Sequence, residues 1–305
     1  MSELFRDVRV GEPIRFEGLS MFPLYSEGSL FSDRAVDYLL SHEAMDQGAV
    51  IVSEASDKGV VSELVVENNG DRPVLFLEGA ELRGAKQNRA INTTLLVGGN
   101  SLTNIPVYCV ERRRWSEPCG RFRPGTHSSP SMRRVFKEGW VFGRKLGSRP
   151  DQNAVWAEVR RKHGTLNVSS DTEDMAATIE AHREKVERMQ ELCVYPAPAN
   201  GIALAFGGTL ICIDLLDKGT SLEKIWSRYQ EGLLIDLLER QHPEREITGS
   251  EIAARLDQMQ HLPWQQVESV GLGEQYRAHH DSMLAAALVL DGTMIHGSAL
   301  MPFPR

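Results

Sequence analysis

The sequence predicts an α+β protein: a β-sandwich or partly open barrel built from N- and C-terminal strands, with several helices packed on one side. Short runs rich in Val, Ile and Leu alternate with turn clusters through the first third of the chain. Helical periodicity follows, and two glycine-containing hairpin signals return the last hundred residues to strand. We therefore expect both β-rich ends to close one sheet system in a single domain spanning 1–305.

The β-rich half covers residues 1–115. The predicted strands are Ala49–Ser53, Val60–Glu67, Val74–Leu77, Asn92–Val97 and Ile105–Val110. Turn clusters such as Asn-Asn-Gly-Asp separate them, and this spacing favours a sandwich or a partly open barrel.

Residues 116–151 differ in composition from the β-rich half that precedes them. The segment is rich in Pro, Gly, Arg and Ser and shows no sustained periodicity. It is therefore predicted to be an irregular basic insertion, and a segment of that length without regular structure is often functional.

Residues 152–305 are predicted to hold helices and two hairpins. A short helix is expected at Ala154–Lys162, and a longer one at Asp171–Cys193 with Ser170 and Glu173 as its capping box. Thr220 with Glu223 is expected to cap the next helix, and Thr248 or Ser250 to open a shorter one. The first of these has an apolar stripe at helical spacing: Leu222, Ile225, Trp226, Tyr229, Leu233 and Leu237. The hairpins centre on two turn dipeptides, Gly207-Gly208 and Asp291-Gly292.

The net charge of −8 conceals an uneven distribution. Residues 112–162 contain 14 Lys and Arg but only four acids, so this stretch carries +10 and the remainder −18. A basic block within an acidic protein indicates an anionic ligand or partner, or internal salt bridges between the two parts. Both interpretations stay open.

Several classes of protein are disfavoured. No apolar run reaches the roughly 18 residues that a membrane span requires. The first residues lack a signal-peptide pattern, and four scattered cysteines suit neither a disulfide framework nor a zinc site. We expect reduced thiols in a cytoplasmic protein. P-loop, GxGxxG and HExxH patterns are missing, so the sequence predicts no metal site within one motif and identifies no cofactor.

A polar segment, Glu78–Arg89, follows one apolar strand and precedes another. It is predicted to be a long turn, in which Lys86, Gln87, Asn88 and Arg89 offer donors suited to phosphate, ribose or amide groups. Asn92 follows closely. The alternative is an ordinary solvated loop.

A second cluster lies at the end of a predicted strand, at Cys109–Trp115. Alternation places Cys109 and Glu111 on one face, and the neighbouring arginines, including Arg113 and Arg114, would keep Glu111 ionised. Trp115 could stack on a base or sugar. The alternatives are a buried structural cysteine, a surface ion pair and a packing tryptophan.

These motifs resemble a known family. Glu-Gly-Ala-Glu-Leu-Arg-Gly-Ala-Lys-Gln-Asn-Arg at 78–89, Asn92, Ile-Pro-Val-Tyr-Cys-Val-Glu at 105–111 and Arg114-Trp115 resemble the prokaryotic domain family named for association with ADP-ribosylglycohydrolases and rhodanese-phosphatase-superfamily proteins. The hairpins ending in Asp214 and His296 are also similar. The resemblance implies a setting of ADP-ribose and phosphate chemistry. By motif position it implies these site residues: Glu78, Lys86, Gln87, Asn88, Arg89, Cys109, Glu111 and Trp115.

The leading hypothesis is binding, with turnover left open, of a phosphorylated nucleotide-type molecule of the NAD or ADP-ribose class. Lys86, Arg89 and Arg113 or Arg114 would hold phosphates, and Glu111 would act as general base if there is turnover. One alternative is nucleic-acid binding through residues 112–163, with Trp115, Phe122, Trp140 and Phe142 as stacking partners. Another is a non-catalytic scaffold that self-associates or docks a partner. A composite site of Glu111, Asp214 and His296 is also considered.

Overall fold

The computed structural model describes residues 5, 7–26, 36–115, 120–142, 151–239 and 245–302. The strands are β1 Val8–Val10, β2 Ile14–Phe16, β3 Leu19–Ser26, β4 Leu39–Leu40, β5 Val50–Glu54, β6 Glu63–Asn68, β7 Val74–Phe76, β8 Ala80–Gly84, β9 Arg89–Ile91, β10 Leu95–Val97, β11 Ser101–Cys109, β12 Phe122–His127, β13 Gly201–Phe206, β14 Thr209–Leu216, β15 Gln265–Val267, β16 Glu274–His280, β17 Met283–Leu290 and β18 Thr293–Leu300. The helices are α1 Ser41–Asp46, α2 Pro130–Phe142, α3 Gln152–Leu166, α4 Ala176–Ala181, α5 Arg183–Leu192, α6 Gly219–Ile235 and α7 Gly249–Gln260.

The strands form three sheets in an α+β fold, and one sheet curls into a half-barrel. A nine-stranded sheet has the order β1-β3-β13-β14-β18-β17-β16-β15, with β2 added against β3. A six-stranded sheet has the order β12-β8-β9-β11-β6-β5, and a small sheet the order β10-β7-β4. N- and C-terminal strands share one sheet through the pairing of β3 with β13, although β3 was not among the predicted strands.

The two predicted hairpins of the C-terminal part are confirmed. Both central residues of each turn have positive φ: 58° and 72° at Gly207-Gly208, and 50° and 77° at Asp291-Gly292. This backbone suits a two-residue hairpin loop, because its twist matches that of the flanking strands. The second turn leads into β18, which carries His296 into the centre of the sheet.

The predicted long turn at 78–89 is wrong. It contains β8 and β9, which pair antiparallel with Leu82 opposite Arg89. Only four residues, 85–88, connect them, which is an ordinary hairpin length. The polar composition made these strands resemble a loop. Their polar side chains are nevertheless buried, because distant segments of the chain supply their hydrogen-bond partners.

The predicted irregular insertion at 116–151 is also wrong for most of its length. It contributes β12 and the 13-residue helix α2, which Pro130 opens. Proline suits the first helical position because its fixed φ is already helical. Residues 116–119 and 143–150 lie outside the described ranges.

The helix predicted at 171–193 is replaced by two shorter ones. Glu173 takes a positive φ of 51°, and Ser170 Oγ accepts a hydrogen bond from the Asp174 amide instead of forming a capping box with Glu173. His182, with φ −118°, separates α4 from α5. By contrast, Thr248 and Glu251 form a complete capping box at the start of α7.

One hydrophobic cluster joins both halves of the chain: it includes Leu19, Tyr108, Phe136, Trp226 and Leu300. The apolar face predicted for α6 lies in this cluster, where it packs across β12. In the described part of the chain, no helix is long and apolar enough to cross a membrane.

Candidate functional site

Five charged or titratable side chains meet in the core between the sheets: Glu78, Arg133, Lys137, Asp214 and His296. Each is at most 5% exposed. Four segments supply them. The connection between β7 and β8 carries the glutamate, α2 the two cations, β14 the aspartate and β18 the histidine. The cations lie four residues apart, so they project from one face of the helix.

Arg133 is the centre of this buried polar cluster. It holds Asp214 through two bonds, Nη1 to Oδ2 at 2.9 Å and Nη2 to Oδ1 at 2.7 Å, and its Nε donates to Glu78 Oε1 at 3.2 Å. Lys137 donates to the other Glu78 oxygen and to Ser298 Oγ at 3.1 Å. Burial alone would raise the pKa of Asp214, but the adjacent Arg133 holds it well below its usual range.

His296 bridges this cluster to Thr94. Its Nε2 lies 3.2 Å from Asp214 Oδ1, and its Nδ1 lies 2.7 Å from Thr94 Oγ1. The same threonine oxygen accepts the backbone N–H of Glu78 at 3.0 Å. The imidazole is therefore held from both ring nitrogens in a fixed orientation.

Two adjoining cavities lie beside the cluster. One has about 260 Å³ of space, part of it open to solvent, and is lined by Glu78, His127, Arg133, Asn200, Asp214 and His296, among others. The other is a cleft of about 480 Å³, partly open to solvent. The two share four lining residues, Leu77, His127, Ile225 and Tyr229. Tyr229 also donates its hydroxyl to Asp214 Oδ2, so it connects the cleft to the charged cluster.

The walls of the cleft are mostly apolar, and one buried carboxyl faces them. Glu81, on β8, is 3% exposed and accepts hydrogen bonds from Ser128 Oγ at 3.1 Å and Thr126 Oγ1 at 3.2 Å. Burial raises the pKa of Glu81 to about 7. Burial, reinforced by the Arg133 charge, lowers the pKa of His127 to about 3, so this imidazole is neutral. A carboxyl group that titrates near neutral pH suits acid–base chemistry.

Two basic side chains also line the cleft. Arg228, on α6, donates Nη1 to the carbonyl of Gly125 at 2.8 Å. His42, on α1, lies near it, and burial together with Arg228 lowers the pKa of His42. A cation beside an apolar cleft can hold the anionic end of a ligand whose ring lies deeper.

The two segments predicted to form the site do fold onto each other. Glu111 accepts the Asn88 amide at 3.0 Å and two Arg114 bonds, from Nε at 2.8 Å and Nη2 at 2.7 Å. Arg114 also donates to the carbonyl of Ala85 at 2.6 Å. Although burial opposes it, these bonds lower the pKa of Glu111, so this carboxylate is ionised as predicted. Its oxygens are engaged by its own chain, which disfavours Glu111 as a general base.

Gln87, Arg89 and Cys109 form the inner part of this second cluster. Arg89 is fully buried and donates Nη1 to the Gln87 carbonyl at 3.0 Å. The Cys109 thiol lies 3.1 Å from Gln87 Oε1. Burial raises the pKa of the Cys109 thiol despite the charge of Arg89, which favours the structural interpretation of this cysteine over the nucleophile.

The remaining predicted site residues lie around this cluster or away from it. Trp115 is 47% exposed, with Arg89 Cζ 5.9 Å from its ring centre. The Lys86 amide donates to Glu54 at 3.1 Å, and Arg113 pairs with Glu173 at 2.6 Å. Asn92 is buried between β9 and β10. That these groups hold a ligand stays a prediction.

The described cations of 112–162 mostly pair with carboxylates elsewhere in the chain, which favours the internal salt-bridge interpretation. Arg112, Arg113 and Arg160 lie within 3.6 Å of Glu173. Lys162 pairs with Asp236 and Glu239. Of the proposed stacking partners, Phe122 is buried, and the side chains of Trp140 and Phe142 lie outside the described residues.

The sequence indicated Asp214 and His296 as members of a composite site with Glu111. In the structure, the second carboxylate in their cluster is Glu78 instead. Sequence reasoning missed Arg133, Lys137 and His127, because they lie in the segment predicted to be irregular. Their signal was present, since Arg133 and Lys137 have helical spacing after Pro130. Among the described residues, no group of three or more His, Cys, Asp and Glu side chains is arranged to hold a metal ion.

The family model of the ARG and Rhodanese-Phosphatase-superfamily-associated Protein domain matches residues 7–300. No curated protein and no solved structure matches the chain.

Proposed function

The chain belongs to the ARG and Rhodanese-Phosphatase-superfamily-associated Protein domain family, and from this premise we propose that it binds a nucleotide-type ligand of the NAD or ADP-ribose class. The proposed site is the cleft lined by Glu81, His127 and Arg228. The family name supports the ligand class, because it records association with ADP-ribosylglycohydrolases. The geometry supports this location over the 86–115 cluster, whose polar groups largely bond one another.

The observation that carries the proposal is the Glu81 carboxyl in an apolar cleft. A flat ring can lie between the side chains of Leu40, Met45 and Leu82, with Glu81 as the polar group that fixes its orientation. Near neutral pH the carboxyl exists in both protonation states, so it can either donate or accept a hydrogen bond.

Turnover, where it occurs, would use the same carboxyl. A protonated Glu81 can deliver its proton to a leaving base, and the carboxylate can afterwards take a proton from water. His127 stays neutral across this pH range and can accept a hydrogen bond without adding positive charge to the cleft.

Isothermal titration calorimetry with ADP-ribose and NAD tests the proposal. We expect the wild type to bind at least one of them, and Arg228→Ala to lose about ten- to a hundredfold in affinity, since a charge-assisted hydrogen bond contributes about 1.5–3 kcal/mol. Arg183→Ala is the matched control, because Arg183 lies on α5 and forms exposed ion pairs with Glu180 and Glu187. Absent binding of both ligands, or equal affinity in the two variants, would reject the site.

A further inference from the structure

A hydroxyl, an imidazole and a carboxylate are hydrogen-bonded in series at the end of the buried polar cluster. Thr94 Oγ1 lies 2.7 Å from His296 Nδ1, and His296 Nε2 lies 3.2 Å from Asp214 Oδ1. All three side chains are at most 6% exposed. This order of groups is the one by which a base activates a hydroxyl nucleophile while a carboxylate orients the base.

The hydrogen bonds assign the protons along this series. Asp214 also receives two bonds from Arg133 and is ionised, so it accepts from His296 Nε2–H. With Nε2 as the donor, Nδ1 is the acceptor, and the Thr94 hydroxyl donates to it. Because the Glu78 amide donates to one lone pair of Oγ1, the other lone pair is left for attack.

A third cavity lies on the Thr94 side of His296. It encloses about 230 Å³, part of it open, and is lined by Thr93, Thr94, Gln275, Arg277 and His296, among others. Gln275 donates Nε2 to the Thr94 carbonyl at 3.0 Å and so fixes the backbone that carries the hydroxyl. Arg277, which is mostly buried, places positive charge beside the same space, where an oxyanion can be stabilised.

We propose that Thr94, His296 and Asp214 form a second chemical centre, a hydrolytic site for small carboxylic esters or thioesters. Thr94 is the nucleophile, His296 the general base, and Asp214 the positioning residue. Because the space beside Thr94 is narrow, only a short acyl group would enter it. This activity goes beyond the ligand binding proposed for the Glu81 cleft, which shares no lining residue with the cavity beside Thr94.

The reaction balances with water as the only co-reactant. Thr94 Oγ1 forms a bond to the carbonyl carbon, and its proton passes to His296 Nδ1. The bond to the alcohol or thiol then breaks, and the leaving group takes that proton. Water attacks the acyl-threonine ester and gives a proton to Nδ1. The acid leaves as Thr94 regains its hydroxyl proton.

A β-lactone probe, which acylates activated hydroxyl groups, tests the site directly. Mass spectrometry of the labelled wild-type protein should place one acyl group on Thr94. Thr94→Val should abolish labelling, and Thr94→Ser, which keeps the hydroxyl, should restore it. Thr93→Val is the matched control, because Thr93 lines the same cavity, and it should label like the wild type.

Hydrolysis of p-nitrophenyl acetate gives a second readout. His296→Gln should slow the wild-type rate by about a hundredfold or more, the usual contribution of a general base. An unlabelled wild-type protein, a label on any other residue, or equal labelling of Thr93→Val and Thr94→Val overturns the proposal. Titration of folded Thr94→Val with ADP-ribose separates the two functions, since the cleft should bind as in the wild type.

Discussion

At the scale of single residues, the most unusual feature is a set of charges that are buried but paired. Glu78 accepts a hydrogen bond from Arg133 on one oxygen and from Lys137 on the other. Asp214 accepts hydrogen bonds from both terminal nitrogens of the Arg133 guanidinium and from the Tyr229 hydroxyl. Burial lowers the pKa of Lys137 to about 8, even though Glu78 opposes that shift. Such a cluster adds little net stability to the fold, but removal of one member is strongly destabilising because it leaves a buried charge without its partner.

Arg133→Met tests this dependence. The change leaves Asp214 buried without its cation and Glu78 with Lys137 alone, so we expect a loss of about 3–5 kcal/mol in the free energy of unfolding, measured by chemical denaturation. Arg183→Met removes an exposed partner of Glu180 and should cost about 1 kcal/mol or less. Similar losses in the two variants would contradict the structural role given to Arg133.

Glu81 predicts a pH dependence of stability. Its folded pKa of about 7 lies above its ordinary value of 4.5, so the folded state holds the proton more tightly than the unfolded chain. The contribution of this group is fully present below about pH 4.5 and is lost as the pH rises through about 7. The shift of about 2.5 units corresponds to a loss on the order of 3 kcal/mol.

Denaturation of the wild type and Glu81→Gln at pH 5 and pH 8 measures this loss. The wild type should lose stability relative to the variant as the pH rises, because glutamine cannot ionise. Glu67→Gln, an exposed position on β6, should follow the wild-type profile. Parallel profiles for all three proteins would show that Glu81 titrates normally.

At the scale of elements, sequence patterns predicted the features that depend only on residues close together in the chain. The hairpins at Gly207-Gly208 and Asp291-Gly292, the apolar face of α6 and the cap of α7 were all readable from short windows. Strands β8 and β9 were not, because their polar side chains have partners far away in the sequence: Glu81 accepts from Thr126 and Ser128, and Arg89 lies beside Glu54. The buried polar cluster could not be predicted for the same reason, because its members are up to 218 residues apart in the sequence.

The contact between α6 and β12 gives a prediction about one glycine. A Cβ on Gly232 would lie 2.1 Å from the His127 carbonyl oxygen, so Gly232→Ala should destabilise the protein and displace His127 in the cleft wall. Gly164, inside α3, has open space around the same position. There alanine should raise the free energy of unfolding by up to about 1 kcal/mol. Melting temperatures that move in the same direction for both variants would contradict this packing.

At the scale of the whole molecule, charge segregation along the sequence becomes charge pairing in space. The basic stretch 112–162 meets acids contributed by residues both before and after it, such as Glu78, Glu173 and Asp236. The composition predicted that the basic stretch binds anionic groups. It could not show whether these groups belong to the protein itself or to a ligand or partner. The described pairs place much of that attraction inside, so they tie the two halves together.

The shared sheet, the shared core and these ion pairs predict one cooperative unfolding transition. β3 pairs along its length with β13, and Leu96 bridges to Leu272, so neither half keeps its core if the other opens. Tryptophan fluorescence and far-ultraviolet circular dichroism should therefore give superimposed denaturation curves. Hydrogen exchange should show β11 and β13 opening with the same free energy, since they belong to different sheets but one cooperative unit. Earlier opening of either strand, or two separated transitions, would divide the chain into independent domains and contradict the single domain expected from the sequence.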